Sequence, residues 1–301
     1  MKLFEKGGRA NAYRVQVAVV VIIVLAVCAA VSLTAFNRSY LGENGLYKNG
    51  TPLILPWLIV IVSIAAALFG ALNVSAESDV DTLPKCSGKA LTLVSVFFAS
   101  MCVAIFALFF LLGPLDLQYG VGHGVPFGVE AKMKTAILCY RALIPLSLFA
   151  PAYFIVAAVK KRVDALFGSV TLVWALVYIL RLYFDVTDWV MSVRKITVIC
   201  ALCAFVFFMI NEIRFAFGRG CPRKYFFYSA LCAIFCLSSG FAGICCVIIK
   251  IYPLNYELAY YGAILALGAF AMIRVIGFLP EKRSYREIYD AYASIDETEG
   301  E

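Results

Sequence analysis

The chain has 301 residues, 63% hydrophobic and 15% charged, with a mean hydropathy of +0.90 and a formal net charge of +7. Water-soluble chains run near half apolar, so this composition excludes an ordinary soluble domain of the same length. The positive charge does not point to nucleic acid, because the cations are spread over short segments between apolar runs.

Eight apolar runs occur, near 15–36, 53–73, 91–113, 135–158, 166–184, 194–217, 226–249 and 259–279. A helix needs about 20 apolar residues to cross the ~30 Å hydrocarbon core. Only helices and closed barrels satisfy their backbone in lipid, and these runs lack the alternation of barrel strands. The predicted fold is an all-α integral membrane protein, a bundle of eight transmembrane helices over residues 1–279, with a tail over residues 280–301.

Lys2, Lys6, Arg9 and Arg14 precede the first run. The uncharged stretch from Val17 to Phe36 exceeds a signal-peptide core of about 7–15 residues, so an uncleaved helix is expected. If the helices alternate from a cytoplasmic N-terminus, 16 Lys and Arg fall in inner segments, 7 in outer loops and three inside helices. This is the positive-inside pattern. The clusters Lys160–Lys161–Arg162 and Arg219–Arg223–Lys224 weigh most in it, and both termini are expected in the cytoplasm of a cell whose plasma membrane the bundle spans.

The longest outer loop carries Gly120, Gly122, Gly124 and Gly128 around the single histidine, His123. No strand precedes these glycines, so they are not a nucleotide fingerprint. Eleven cysteines are present, none in an outer loop. Cys200 and Cys203 form a CxxC and Cys232 and Cys236 lie one turn apart, but neither pair has the further ligands that a metal needs, so packing is the expected role. No metal or cofactor is expected.

Charges inside a membrane cost roughly 2.5–3.5 kcal/mol each at mid-helix, which makes them the first functional suspects. Four qualify: Arg141, Arg181, Glu212 and Arg274. Arg141 precedes Pro145 and Pro151 on the fourth run, near its outer end. Arg181 ends the fifth run, with Tyr178 and Trp174 on its own face and Asp185 one turn beyond. Its Cβ leans toward the helix N-terminus, which here is away from the outer surface. The fourth and fifth runs are neighbours through a tight connection, so Arg141, Arg181, Tyr178 and Asp185, together with Asp116 or Asp188, are candidates to line an outer site for a small anionic or amphipathic ligand. At the inner side Glu212 and Arg274 lie at similar depth, as a candidate ion pair across helices.

Small residues at four-residue spacing, such as Ser239 and Gly243 or Gly262 and Ala266, suit close helix contact. The tail places Tyr285, Ile288, Tyr289, Tyr292 and Ile295 on one helical stripe. It is expected to form a short amphipathic helix, against the membrane surface or, through residues 284–301, against a protein partner. Signatures of hydrolases, zinc enzymes and nucleotide-binding loops are missing from the sequence. The best functional expectation is a permease-like or ligand-binding membrane protein with an outer-facing site. The alternative is a non-transporting membrane subunit or sensor that docks a partner through its tail.

Overall fold

A computed structural model describes residues 2–41, 48, 54–74, 88–112, 127–160, 163–184, 193–250 and 257–279. These form α1 (Lys2–Tyr40), α2 (Ile54–Asn73), α3 (Gly88–Leu112), α4 (Phe127–Phe149), α5 (Pro151–Lys160), α6 (Ala165–Phe184), α7 (Val193–Ala216), α8 (Pro222–Ile248) and α9 (Glu257–Ile276). Among the described residues eight segments are long and apolar enough to span a bilayer, with α4 and α5 sharing the fourth, Lys134–Val159. The tail from residue 280, Asp116, His123 and the Asp185–Asp188 segment lie outside the described residues.

The fourth crossing divides where the sequence has Pro151, which has no N–H to continue the helical ladder. The Thr171 hydroxyl of α6 donates to the Ala150 carbonyl at 2.8 Å, so a neighbouring helix serves the backbone at the break. Pro145 is accommodated within α4 itself. The tight connection into α6 is capped by Asp164, whose Oδ1 accepts from the Leu166 N–H at 3.0 Å and the Phe167 N–H at 3.2 Å.

Burial ranks the helices by position. In α9, 72% of the spanning window is buried, against 22% in α2, so α9 runs through the middle and α2 lies at the rim. α8 packs on α9, α7, α1 and α2, while α3, α4, α5 and α6 form a second group that meets α9 through α3 and α7 through α6. Cross-helix bonds show the chain alternating between two ends. The Arg223 guanidinium at the start of α8 donates to the Val74 carbonyl just beyond α2, at 2.9 Å. At the other end Asn37 of α1 meets Cys246 of α8.

Lipid tails are as apolar as leucine, so helix contact in a bilayer depends on close packing. α8 and α9 achieve it with a reciprocal pair of notches. A Cβ added at Gly240 would fall 2.7 Å from the Leu265 backbone nitrogen, and one at Gly268 would fall 2.6 Å from that of Leu237. The backbones therefore touch at two levels. The expected pairs lie elsewhere on the same helices: Gly243 faces the Tyr261 ring and Gly262 faces Met101 of α3.

Gly268→Val should force α8 and α9 apart, at a cost of about 1–3 kcal/mol by the usual scale of overpacking. Thermal unfolding in detergent should show the loss. Leu93→Ala, on a side chain 71% exposed on the bundle surface, should leave the midpoint nearly unchanged.

Candidate functional site

Among the described residues two clusters built on buried charges stand out, one toward each end of the bundle, with a column of aromatic rings between them.

The first is built on Glu212, in the penultimate turn of α7. Its side chain is fully buried. Oε1 accepts from Arg274 Nη2 of α9 at 2.6 Å and from the Tyr153 hydroxyl of α5 at 2.7 Å. Oε2 accepts from the Tyr225 hydroxyl of α8. Four helices thus converge on one carboxylate. Arg274 is itself buried and its guanidinium lies over the Phe270 ring, 5.1 Å from the centroid, one turn back on α9. The ion pair gains from the low local dielectric, and the tyrosines supply donors that water would otherwise provide. With both oxygens taken by the protein, the cluster is built to hold helices together.

The second cluster surrounds Arg181, in the last turn of α6. Its guanidinium carbon lies 4.9 Å from the centroid of the Tyr140 ring of α4 and 5.0 Å from that of Tyr260 of α9. The Tyr178 ring, one turn back on α6, is 6.0 Å away. Arg181 is only 7% exposed, and all three rings are buried. The lean of its Cβ toward the N-terminus of α6 suits this placement, with Tyr178 one turn back on the same helix among the three rings. Desolvated cation–π contacts are worth about 2 kcal/mol, which offsets part of the cost of burying the charge. Arg141 is exposed, one residue beyond Tyr140, so the two adjacent residues divide the helix surface, with the ring inward. Asp185 lies outside the described residues. Lys195, near the start of α7, is 2% exposed at the same end, where the sequence suggests only a loop cation.

Between the clusters the rings form a continuous contact chain. Tyr178 meets Trp174 at 5.6 Å, Trp174 meets Phe98 at 5.8 Å, Phe98 meets Phe154 at 4.6 Å and Phe154 meets Phe270 at 4.7 Å. Trp174, Phe98, Phe154 and Phe270 have no solvent exposure. The Trp174 indole N–H donates to the Ser147 hydroxyl at 3.0 Å, so the one polar atom of that ring is satisfied. This column fills the core from Arg181 to Arg274.

Four of these residues, Tyr140, Tyr260, Tyr153 and Tyr225, are not singled out by charge or motif in the sequence. Their signal is subtler. A tyrosine within an apolar run carries a hydroxyl that needs a partner when buried, and Tyr153 and Tyr225 lie at the depth of Glu212. Cys232 and Cys236 have their sulfurs 3.8 Å apart, and the Cys236 thiol reaches the Ala201 carbonyl of α7. Among the described residues no group of three or more His, Cys, Asp or Glu could hold a metal ion. No protein-family model, curated protein or solved structure matches the chain.

Arg274→Leu should strand the Glu212 carboxylate and cost about 3–5 kcal/mol, the usual loss when one partner of a buried pair is removed. Tyr225→Phe should cost about 1.5–3 kcal/mol, as for a hydrogen bond to a charged group. Repeated in a Glu212→Leu background, Tyr225→Phe should cost less than half as much. Reversible unfolding of the four variants in detergent checks the cycle.

Proposed function

We propose that this is a permease-like or ligand-binding membrane protein whose site for a small anionic or amphipathic ligand lies around Arg181, at the outer face of the plasma membrane. The observation that carries the reading is the burial of Arg181 among tyrosines from three helices. The three rings lie within 6.0 Å of the guanidinium carbon, and the guanidinium itself is a planar fork of N–H donors. Such a fork suits a carboxylate or a phosphate oxygen pair as ligand chemistry. Tyr140, Tyr178 and Tyr260 give the surroundings an apolar body, which suits an amphipathic ligand. On this reading Arg141, on the bundle surface one residue beyond Tyr140, would draw an anion toward the cluster. Asp185, four residues beyond Arg181 in the sequence, is a candidate counter-ion in the same proposal.

Passage through the bundle would require the packed rings of Phe98, Phe154 and Phe270 to separate, so transport on this scheme proceeds by rocking of helix groups and not through a standing pore. The closed core also favours one other reading, a non-transporting subunit or sensor that docks a partner through residues 284–301.

Native mass spectrometry of the full chain, released from a mild detergent, separates the two. On the first reading the wild type carries a small anionic molecule, Arg181→Ala loses it at least tenfold, and Arg181→Lys restores only part of it. Arg141→Ala should weaken retention less. A folded Arg181→Ala variant that keeps the same molecule at wild-type occupancy would sink the proposal. A protein partner recovered with the full chain but not after deletion of residues 284–301 would favour the second reading.

A further inference from the structure

The turn from α7 to α8 is a Schellman helix end. Gly218 takes φ 65°, its N–H donates to the Phe215 carbonyl at 3.2 Å, and the Arg219 N–H reaches back to the Arg214 carbonyl at 3.0 Å. This bond sets residues 214 and 219 side by side, at the positions where the motif frequently joins two apolar side chains. Here both are arginines. They line, with Phe217, a cleft of about 610 Å³. Among the described residues neither guanidinium has an ion-pair or hydrogen-bond partner.

One cation at a helix C-terminus is favoured by the terminal carbonyls. A second cation beside it is repelled by the first. The turn is also braced against opening. A Cβ added at Gly220 would fall 2.3 Å from the Phe215 ring, and that ring rests on Tyr225 at 5.1 Å. Arg223 ties the first turn of α8 to the Val74 carbonyl. Two like charges held together in a concave place are stabilised by an anion between them.

We propose that the cleft formed by Arg214, Phe217 and Arg219 binds the phosphate headgroup of an anionic phospholipid, in the leaflet at the Glu212 end of the bundle. The two planar guanidinium forks match phosphate oxygens. Phe217 decides for a lipid over a free anion. Its ring is 67% exposed, on the same cleft, at the end of a membrane-crossing helix, where it meets the upper acyl chain while the arginines hold the headgroup. The site lies at the opposite end from Arg181 and stands whatever that residue binds.

The purified full chain in detergent, titrated with phosphatidylglycerol or with phosphatidylcholine of the same acyl chains, tests this by native mass spectrometry. The wild type should bind phosphatidylglycerol at least tenfold more tightly. Arg214→Ala with Arg219→Ala should remove at least four-fifths of that preference, and Arg214→Lys with Arg219→Lys should restore it only in part. Lys89→Ala with Lys224→Ala removes two exposed cations from the same end outside the cleft, and should leave the preference within twofold. Equal losses in the two double alanine variants would reduce the effect to general surface charge and overturn the site. Displacement of the lipid by millimolar inorganic phosphate would overturn the lipid as occupant, and so would an undiminished preference in the folded arginine-pair variant. Thermal unfolding of each variant keeps a folding defect apart from a binding defect.

Discussion

A carboxylate enclosed by lipid-embedded helices has no water to turn to, so its donors must come from the protein. Glu212 draws them from three other helices, and each donor constrains both depth and rotation. Apolar contact alone would allow helices in a bilayer to slide and turn, since lipid tails match leucine for leucine. A short charge-assisted bond does not allow it, because any slip leaves a buried charge unmet. The clasp at Glu212 and the backbone notches at Gly240 and Gly268 together fix α5, α7, α8 and α9 as a core. α1 and α2 then lie against α8 at the side.

The aromatic column extends that order along the bundle. Each ring contacts the next at a tilt or edge-on, the arrangements that aromatic quadrupoles favour. An arginine is stacked on each end of it, Arg181 on tyrosine and Arg274 on Phe270. The two charge clusters are thus joined by stiff, close-packed side chains. A displacement at one end has few soft places in which to be absorbed before it reaches the other.

Depth was legible in the sequence; rotation was not. Hydropathy and length place the eight crossings, and counting residues from their ends brings Glu212 and Arg274 to a common level. Which way a side chain faces depends on a few tens of degrees about the helix axis, and apolar runs bounded by lipid carry little periodicity to set it. That is why Arg141 and Arg181, similar by depth, have opposite surroundings: the first is exposed on the bundle surface, and the second is buried beside Tyr140, the neighbour of the first. The same limit applies to the glycines. Their spacing marks α8 and α9 as close-packing helices, but the register that puts Gly240 on Leu265 comes only from the tertiary contact. Tyr153 and Tyr225 were hidden for a different reason, since a tyrosine in an apolar run resembles any other aromatic until a carboxylate is placed opposite it.

The order of the donors around Glu212 along the chain bears on how the protein is made. Tyr153 precedes the carboxylate by 59 residues, Tyr225 follows it by 13 and Arg274 by 62. As the ribosome delivers successive helices, α7 enters the bilayer with a phenol already on hand and a second one on the next helix. Its counter-ion arrives with α9, the last crossing described. The partners therefore arrive in stages, and the last helix described brings the ion-pair partner. A nascent chain stopped before α9 lacks the one cation that pairs with Glu212 across the helices described, so its buried carboxyl group still waits for its partner.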